Sequence, residues 1–110
     1  MDSFAHEAYR VARKLPKEEE FGLKSQLRRA ALSVPLNYIE GYARGKHTKY
    51  YDQFLNNAYS SLKEAKYCVH FSYKEDFLSQ SDYTSITEQA DEIGAMLWST
   101  IRHQRVDKHS

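Results

Sequence analysis

Residues 26–45 read QLRRAALSVPLNYIEGYARG, a stretch that indicates one helix with its polar residues in an unusual place. Five polar side chains recur at steps of four, four, three and four, so they share one face of that helix. This polar strip consists of Arg29, Ser33, Asn37, Glu40 and Arg44. Apolar residues flank it on both sides, with Leu23, Leu27, Ala31, Val34 and Tyr38 on one and Leu32, Leu36, Ile39 and Ala43 on the other. A surface helix normally carries one apolar stripe, so the pattern predicts a helix buried twice, in its own bundle and against another chain.

The rest of the chain carries apolar residues at helical spacing in three further segments that are separated by short polar turns. The predicted helices span about residues 2–15, 22–44, 48–73 and 82–103, and a frayed tail follows at about 104–110. Apolar seams joined by short turns predict one domain over residues 1–110. Its predicted fold is all-α, an antiparallel up-and-down four-helix bundle.

Local signals predict how these helices begin and end. Asp2 or Ser3 is expected to cap the first helix and Thr48 the third, because short polar side chains accept bonds from free backbone amides. Pro35 lies inside the second helix, where we expect a kink rather than an end. Gly45 suits the left-handed backbone that closes a helix.

Composition excludes several classes of protein. The 110 residues include 16 Lys and Arg against 15 Asp and Glu, and the formal charge of +1 demands no acidic partner. The single cysteine, Cys68, excludes an internal disulfide and fits a reducing compartment. The N-terminus lacks the apolar run of a signal peptide, and no segment approaches membrane-spanning length. These features predict a soluble cytoplasmic protein that does not bind membranes.

The chain offers little for catalysis or for binding a metal ion. Its five histidines do not form the Glu-x-x-His pairs that diiron bundles require on two helices. Cys68 lies beside the seam of the third helix and is more simply a small buried hydrophobe. Gly41 and Gly45 are too few and too separated for a phosphate-binding loop. We therefore predict no catalytic residue, no cofactor and no metal ion.

A second polar strip on the third helix, formed by Asn57, Ser61 and Glu64, repeats the pattern of the first. If both strips face inward, they form a buried hydrogen-bonded network, since buried charges must be paired. The candidate members of this network or of a subunit interface are Arg29, Ser33, Asn37, Glu40, Ser61 and Glu64. Such a network would fix the helix register and the subunit contact; the alternative is a binding site at the subunit junction.

Basic residues crowd the predicted turn between the second and third helices. They are Arg44, Lys46, His47 and Lys49. In a single chain these residues form an ordinary solvated surface. In a ring of subunits the turn would repeat around one rim, where cations can hold a phosphate backbone without reading bases. The four residues are therefore candidate contacts to nucleic acid.

The first of these motifs also carries a resemblance to a known family. The arginine pair, the A-x-S-[IV]-P-x-N pattern and the E-G-x-x-R pattern resemble the 23S rRNA-intervening sequence proteins, a family of small bacterial four-helix bundles. The matching residues are Arg28, Arg29, Ala31, Ser33, Val34, Pro35, Asn37, Glu40, Gly41 and Arg44, then Ala58, Ser61, Leu62 and Glu64, and finally Ala90, Glu92, Ile93, Leu97 and Ile101. The chain departs from the family at Tyr38, Ile39 and Tyr59, which differ from the residues more usual at these positions.

The resemblance implies a ring-like homopentamer, the form in which members of this family assemble, and it implies no reaction. Related accessory proteins of diversity-generating retroelements bind a reverse transcriptase and nucleic acid, but they are strongly basic, unlike this chain. We therefore expect a non-enzymatic oligomeric scaffold or accessory factor whose main partner is a copy of itself. One alternative is a nucleic-acid-binding accessory protein that uses the basic turn. Another, less favoured, is an enzyme with a site between subunits.

Overall fold

Four α-helices form the part of the chain that the computed structural model describes, residues 1–109, with side chains described for residues 1–104. The helices are α1 (Asp2–Ala12), α2 (Leu23–Arg44), α3 (Lys49–Lys74) and α4 (Gln80–His109). A 3-10 turn at Lys17–Glu19 lies in the connection between α1 and α2. The described residues contain no strand, which confirms the predicted all-α class.

Each helix packs against two neighbours. Both α1 and α3 contact α2 and α4, whereas α2 and α4 do not contact each other along the described chain. The connections between helices are short, so successive helices run in opposite directions. Since α2 and α4 lie at opposite corners of the bundle, their outer sides face different directions.

The core follows the predicted apolar seams. The buried seam residues are Phe4, Ala8, Val11 and Leu15 before α2, then Tyr51, Leu55, Ala58, Leu62, Ala65 and Val69 on α3, and Ile86, Ala90, Ile93, Leu97 and Ile101 on α4. Tyr83, also assigned to the α4 seam, is only half-buried, and its ring packs against Tyr73 with 4.3 Å between ring centroids. Burying a Leu or Ile side chain contributes about 1.5–3 kcal/mol, so these seams account for most of the attraction between helices.

The last helix runs further than predicted. The structure continues α4 to His109, through most of the segment expected to fray, and Ser110 lies outside the described residues. Ile101 and Gln104 are both buried, so the core-facing side of α4 extends beyond the predicted end at residue 103. Because residues 104–110 are mostly polar, their sequence did not indicate that the helix continues.

Two of the predicted helix ends have the expected geometry. The Thr48 hydroxyl accepts the Tyr51 backbone N–H at 3.1 Å and donates to the Gly45 carbonyl at 2.8 Å, so it caps α3 and closes the preceding turn. Gly45 has a φ of +99°, in the left-handed region that suits glycine. The helix continues through Pro35 rather than ending there, as expected, and the kink at this residue stays a prediction.

The start and the end of α1 differ from the prediction. Neither predicted residue caps α1: both Asp2 and Ser3 lie inside the helix, which begins without a side-chain cap. The helix ends at Ala12 rather than near residue 15, although Leu15 still packs into the core. After Ala12, the backbone N–H groups of Lys14 and Leu15 donate to carbonyls three residues earlier, so the last turn is a tighter 3-10 turn. This turn carries the apolar seam three residues past the end of the α-helix.

An ion cluster around the shielded carboxylate of Asp82 joins α1 to α4. The Asp82 side chain is 12% exposed, and its carboxylate accepts hydrogen bonds from Lys14 Nζ at 2.7 Å and Arg10 Nη2 at 2.8 Å. These two cations hold the pKa of Asp82 at about 2, below its usual 3.8. Arg10 also pairs with Glu7 on its own helix. Since charged hydrogen bonds at a shielded site are stronger than solvated ones, the cluster fixes the position of α1 against α4.

Candidate functional site

One side of α2 is apolar and has no partner in the described chain. Leu36 and Ile39 are 55% and 62% exposed, whereas Leu27 and Val34 on the opposite side are fully buried. At 100° per residue the exposed residues point almost directly away from the core. We call them the apolar face of α2, which comprises Leu32, Leu36, Ile39 and Ala43. One of the two predicted apolar sides is therefore in the bundle core, and the other is open.

The neutral members of the polar strip join α2 to α3. Asn37 Nδ2 donates to both the carbonyl oxygen and the hydroxyl of Ser33, each at 2.8 Å. The Ser61 hydroxyl on α3 donates to Ser33 Oγ at 2.9 Å. These three half-buried residues form a small hydrogen-bonded group that fixes the register of the two helices.

The charged members of the strip lie in solvent and do not extend that group. Arg29 faces Glu64 on α3 at 3.8 Å, and Arg44 pairs with Glu40 at 3.1 Å on the same helix. Their side chains are between 47% and 65% exposed, and such ion pairs contribute at most about 1 kcal/mol. The structure thus separates the predicted network into a neutral half-buried group and two exposed ion pairs. In a single chain, the charged side chains of the predicted network are therefore not buried.

A shallow depression of about 420 Å³ lies between α2 and α3, beside the apolar face of α2. Its lining combines the polar strip with apolar side chains: Arg29, Leu32, Ser33, Leu36, Asn37, Glu40 and Phe54. An apolar centre with a polar margin is the usual composition of a protein–protein contact. This surface therefore has the composition of a contact with another protein.

The basic turn has an aromatic component that the sequence prediction did not include. Lys46 Nζ lies 5.2 Å from the centroid of the Tyr42 ring, and Lys49 Nζ lies 5.4 Å from that of Tyr50. The Arg44 guanidinium lies 5.8 Å from the same Tyr50 ring. The available signal in the sequence was that Tyr42 and Tyr50 flank the cations Arg44, Lys46 and Lys49. His47 is exposed at the tip of this turn, with a φ of +70°.

Other chemistry has little support in the described residues. They contain no group of three or more His, Cys, Asp or Glu side chains placed to hold a metal ion. Cys68 is half-buried, and desolvation raises the pKa of its thiol, which keeps the sulfur protonated and weakly nucleophilic. Over the described part of the chain, no helix has the length and apolar character needed to span a membrane.

Comparison with known proteins supplies a family and a fold. A model of the 23S rRNA-intervening sequence protein family matches residues 1–99. The chain is also similar to the crystal structure of a protein with unknown function from the S23 ribosomal protein family of Bacteroides thetaiotaomicron, with a TM-score of 0.81 and 23% identity. That match covers 90% of this chain and 92% of the other, and at this identity it shows the fold alone. No curated protein matches the chain.

Proposed function

This chain belongs to the 23S rRNA-intervening sequence protein family, and we propose that it is a non-enzymatic cytoplasmic scaffold or accessory protein that works as a homo-oligomer. The observation that carries the proposal is the open apolar face of α2. Clustered exposed apolar side chains mark interaction surfaces. A second copy of the chain is the partner that is always available. The proposed number of subunits, five, depends on the family resemblance.

The polar strip supports this proposal because it supplies a margin for the contact. Arg29 and Glu40 border the apolar face and remain hydrated in a single chain. When a neighbour covers Leu36 and Ile39, these charges lie at the rim, where they select the partner's orientation with little desolvation cost. The neutral Ser33 group holds α2 rigid beneath the contact, so little conformational entropy is lost on assembly.

We expect static light scattering at micromolar concentration to give a mass several times the 12.9 kDa of one chain, and five times that mass for the pentamer. The reason is that burying the apolar face contributes about 1.5–3 kcal/mol for each large side chain. A mass of 12.9 kDa that persists on concentration would contradict the proposal. A stable dimer would contradict only the number of subunits.

A second candidate function is favoured by the basic turn, where the exposed rings of Tyr42 and Tyr50 flank the cations. Single-stranded nucleic acid is bound by just such combinations, in which cations neutralise phosphates and aromatic rings stack on bases. One turn alone offers few phosphate contacts. Several copies on one rim of an oligomer would engage a strand together, and the affinity would then depend strongly on salt.

Charge reversal tests this second candidate. Labelled single- and double-stranded RNA and DNA should bind the wild-type protein at low salt, with a log–log salt slope of about −0.7 to −0.9 per phosphate contacted. Replacing both Lys46 and Lys49 by Glu should abolish binding, because the two exposed ammonium groups are lost from the turn. Lys17→Glu with Lys74→Glu is the matched control, since it makes the same charge change at the other end of the bundle. Absence of binding below about 100 μM, or binding that survives reversal of the turn, would rule out this candidate.

A further inference from the structure

The only tryptophan of the chain marks a second surface, on the outer side of α4. Trp98 is 44% exposed, although its ring packs against Tyr59 of α3 with 5.9 Å between centroids. Beside the indole is an open depression of about 340 Å³, lined by Trp98, Ser99, Arg102 and His103. All four side chains are exposed, and they belong neither to the core seams nor to the apolar face of α2.

The lining of this depression is rich in hydrogen-bond donors and holds no carboxylate. The Arg102 guanidinium presents its N–H groups in one plane, and the Ser99 hydroxyl and the His103 ring can each donate as well. Arg102 forms no ion pair with a described side chain. The nearest described carboxylates of α4, Asp91 and Glu92, lie about 15 Å away along the helix axis, beyond the roughly 8 Å over which exposed charges interact in physiological salt. The guanidinium is therefore available to an external anion.

Two lysines of α3 continue the positive charge along the same side of the bundle. Lys63 Nζ lies 5.2 Å from the centroid of the Tyr59 ring, so this cation stands beside the aromatic pair. Lys49 of the basic turn lies about four helical turns earlier, and thus on the same face of α3 as Lys63. The acidic residues on this side are already engaged, since Asp91 pairs with a lysine at 2.6 Å and Asp52 is not free.

This combination of groups fits single-stranded nucleic acid better than other anions. An exposed indole offers a ring on which a base stacks, while cations on either side neutralise phosphates. In a duplex the bases are stacked on one another, and an acidic peptide has no base at all. The distance from Lys49 to Lys63 along α3 is about 20 Å, or about six nucleotides at 3.4 Å each, within the range of roughly 4–16 nucleotides that single-strand sites cover.

We infer that Trp98, Arg102 and Lys63 extend the basic turn into a track for single-stranded nucleic acid, in which a base stacks on the indole and Arg102 binds the adjacent phosphate. This inference rests on the second candidate function, since it requires that the basic turn bind nucleic acid. It goes further in specifying a single strand as the ligand and in naming a stacking residue outside the turn.

Intrinsic fluorescence tests the stacking contact directly, because Trp98 is the only tryptophan. With selective excitation of the indole at low salt, single-stranded RNA or DNA of about twelve nucleotides should quench the emission of the wild-type protein. The duplex of the same sequence should quench it much less. Inorganic phosphate and polyglutamate carry negative charge but no base, so quenching by either as strong as that by the single strand would overturn the inference.

A charge-removing substitution tests the phosphate contact. Arg102→Gln should keep the fold, because the side chain is exposed, and should weaken single-strand binding about tenfold, the usual effect of losing one hydrogen bond to a charged group. The log–log salt slope should become shallower by about 0.7, the contribution of one phosphate. Arg13→Gln is the matched control: Arg13 is also exposed but lies just beyond α1, and its loss should change neither the affinity nor the slope.

Two substitutions of the tryptophan separate stacking from packing. Measured by the anisotropy of a labelled strand, Trp98→Leu should weaken single-strand binding by about 5- to 150-fold, the usual effect of removing one stacking ring, with little change for the duplex. Trp98→Phe keeps a ring and should restore most of the affinity. Circular dichroism checks that both variants remain folded. An equal loss for single and double strands, or no difference between Leu and Phe, would contradict the stacking role.

The possible results also separate this inference from the second candidate function. If no nucleic acid binds, both are wrong. If single strands bind through Lys46 and Lys49 but leave the Trp98 emission unchanged and bind Arg102→Gln normally, the turn alone is the site and the inference is wrong. If quenching survives the replacement of both Lys46 and Lys49 by Glu, Trp98 belongs to a separate site and the shared track is wrong.

Discussion

Replacing both Leu36 and Ile39 by Glu is expected to convert the assembled protein into single chains of 12.9 kDa. The two side chains are 55% and 62% exposed in one chain, so their replacement leaves the bundle core intact. In the assembly, the same change removes apolar burial worth about 1.5–3 kcal/mol per residue and forces two carboxylates into the contact. The subunit affinity should fall by about 100-fold or more, since each 1.4 kcal/mol is a factor of ten.

Light scattering and far-UV circular dichroism together check this result. The mass should fall while the helical signal below the unfolding temperature remains. Gln80→Glu with Ser85→Glu is the matched control, because it places two carboxylates at exposed positions on α4, away from the apolar face of α2. If the double variant on α2 keeps the wild-type mass, the apolar face of α2 is not the subunit contact.

Asp82→Ala is expected to lower the free energy of unfolding by about 1–3 kcal/mol, the largest effect that we expect from a single polar residue of this chain. The change removes the shared acceptor of Lys14 and Arg10, a side chain that is 12% exposed. Asp91→Ala is the matched control: Asp91 also pairs with a lysine, at 2.6 Å, but its side chain is 59% exposed. A solvated pair of that kind should change stability by less than about 1 kcal/mol.

The pH dependence of stability identifies the same carboxylate. The pKa of Asp82 is about 2 in the folded chain and near 3.8 when the chain unfolds, so the unfolded state takes up the proton first as the pH falls. The stabilising contribution is therefore complete above about pH 4 and is lost between about pH 4 and pH 2. Chemical denaturation across this range should show a shallower acid dependence for Asp82→Ala than for the wild type. Two results would contradict this role of Asp82. One is an equal acid dependence of stability in the wild type and Asp82→Ala, and the other is an equal denaturation midpoint in Asp82→Ala and Asp91→Ala.

The seams of the bundle were predictable because helix burial repeats with a short local period. Leu55, Leu62 and Leu97 are buried where their spacing places them, and the Thr48 cap depends only on its neighbours in sequence. The ends of α1 and α4 were less predictable. Whether Leu15 lies in regular helix, or whether the chain beyond residue 103 remains helical, depends on packing between helices as well as on propensity.

The Asp82 cluster shows what local patterns cannot reveal. Arg10 and Lys14 are one turn apart on the first part of the chain and read as ordinary surface charges. Asp82 is about seventy residues away, and only the contact between α1 and α4 brings it within 2.8 Å of both. The same is true of Ser61, which reaches Ser33 only because α2 and α3 pack in one particular register.

The sequence by itself determined that α2 has two apolar sides with a polar strip between them, since a helix of fixed period assigns each residue to a face whatever surrounds it. Only the tertiary structure decided which side enters the core. It placed Val34 against the bundle and left Ile39 open, and it divided the strip into a bonded Ser33 group and hydrated charges. The physical reason is that burial and pairing are properties of the space between helices, whereas the face of a residue is a property of one helix.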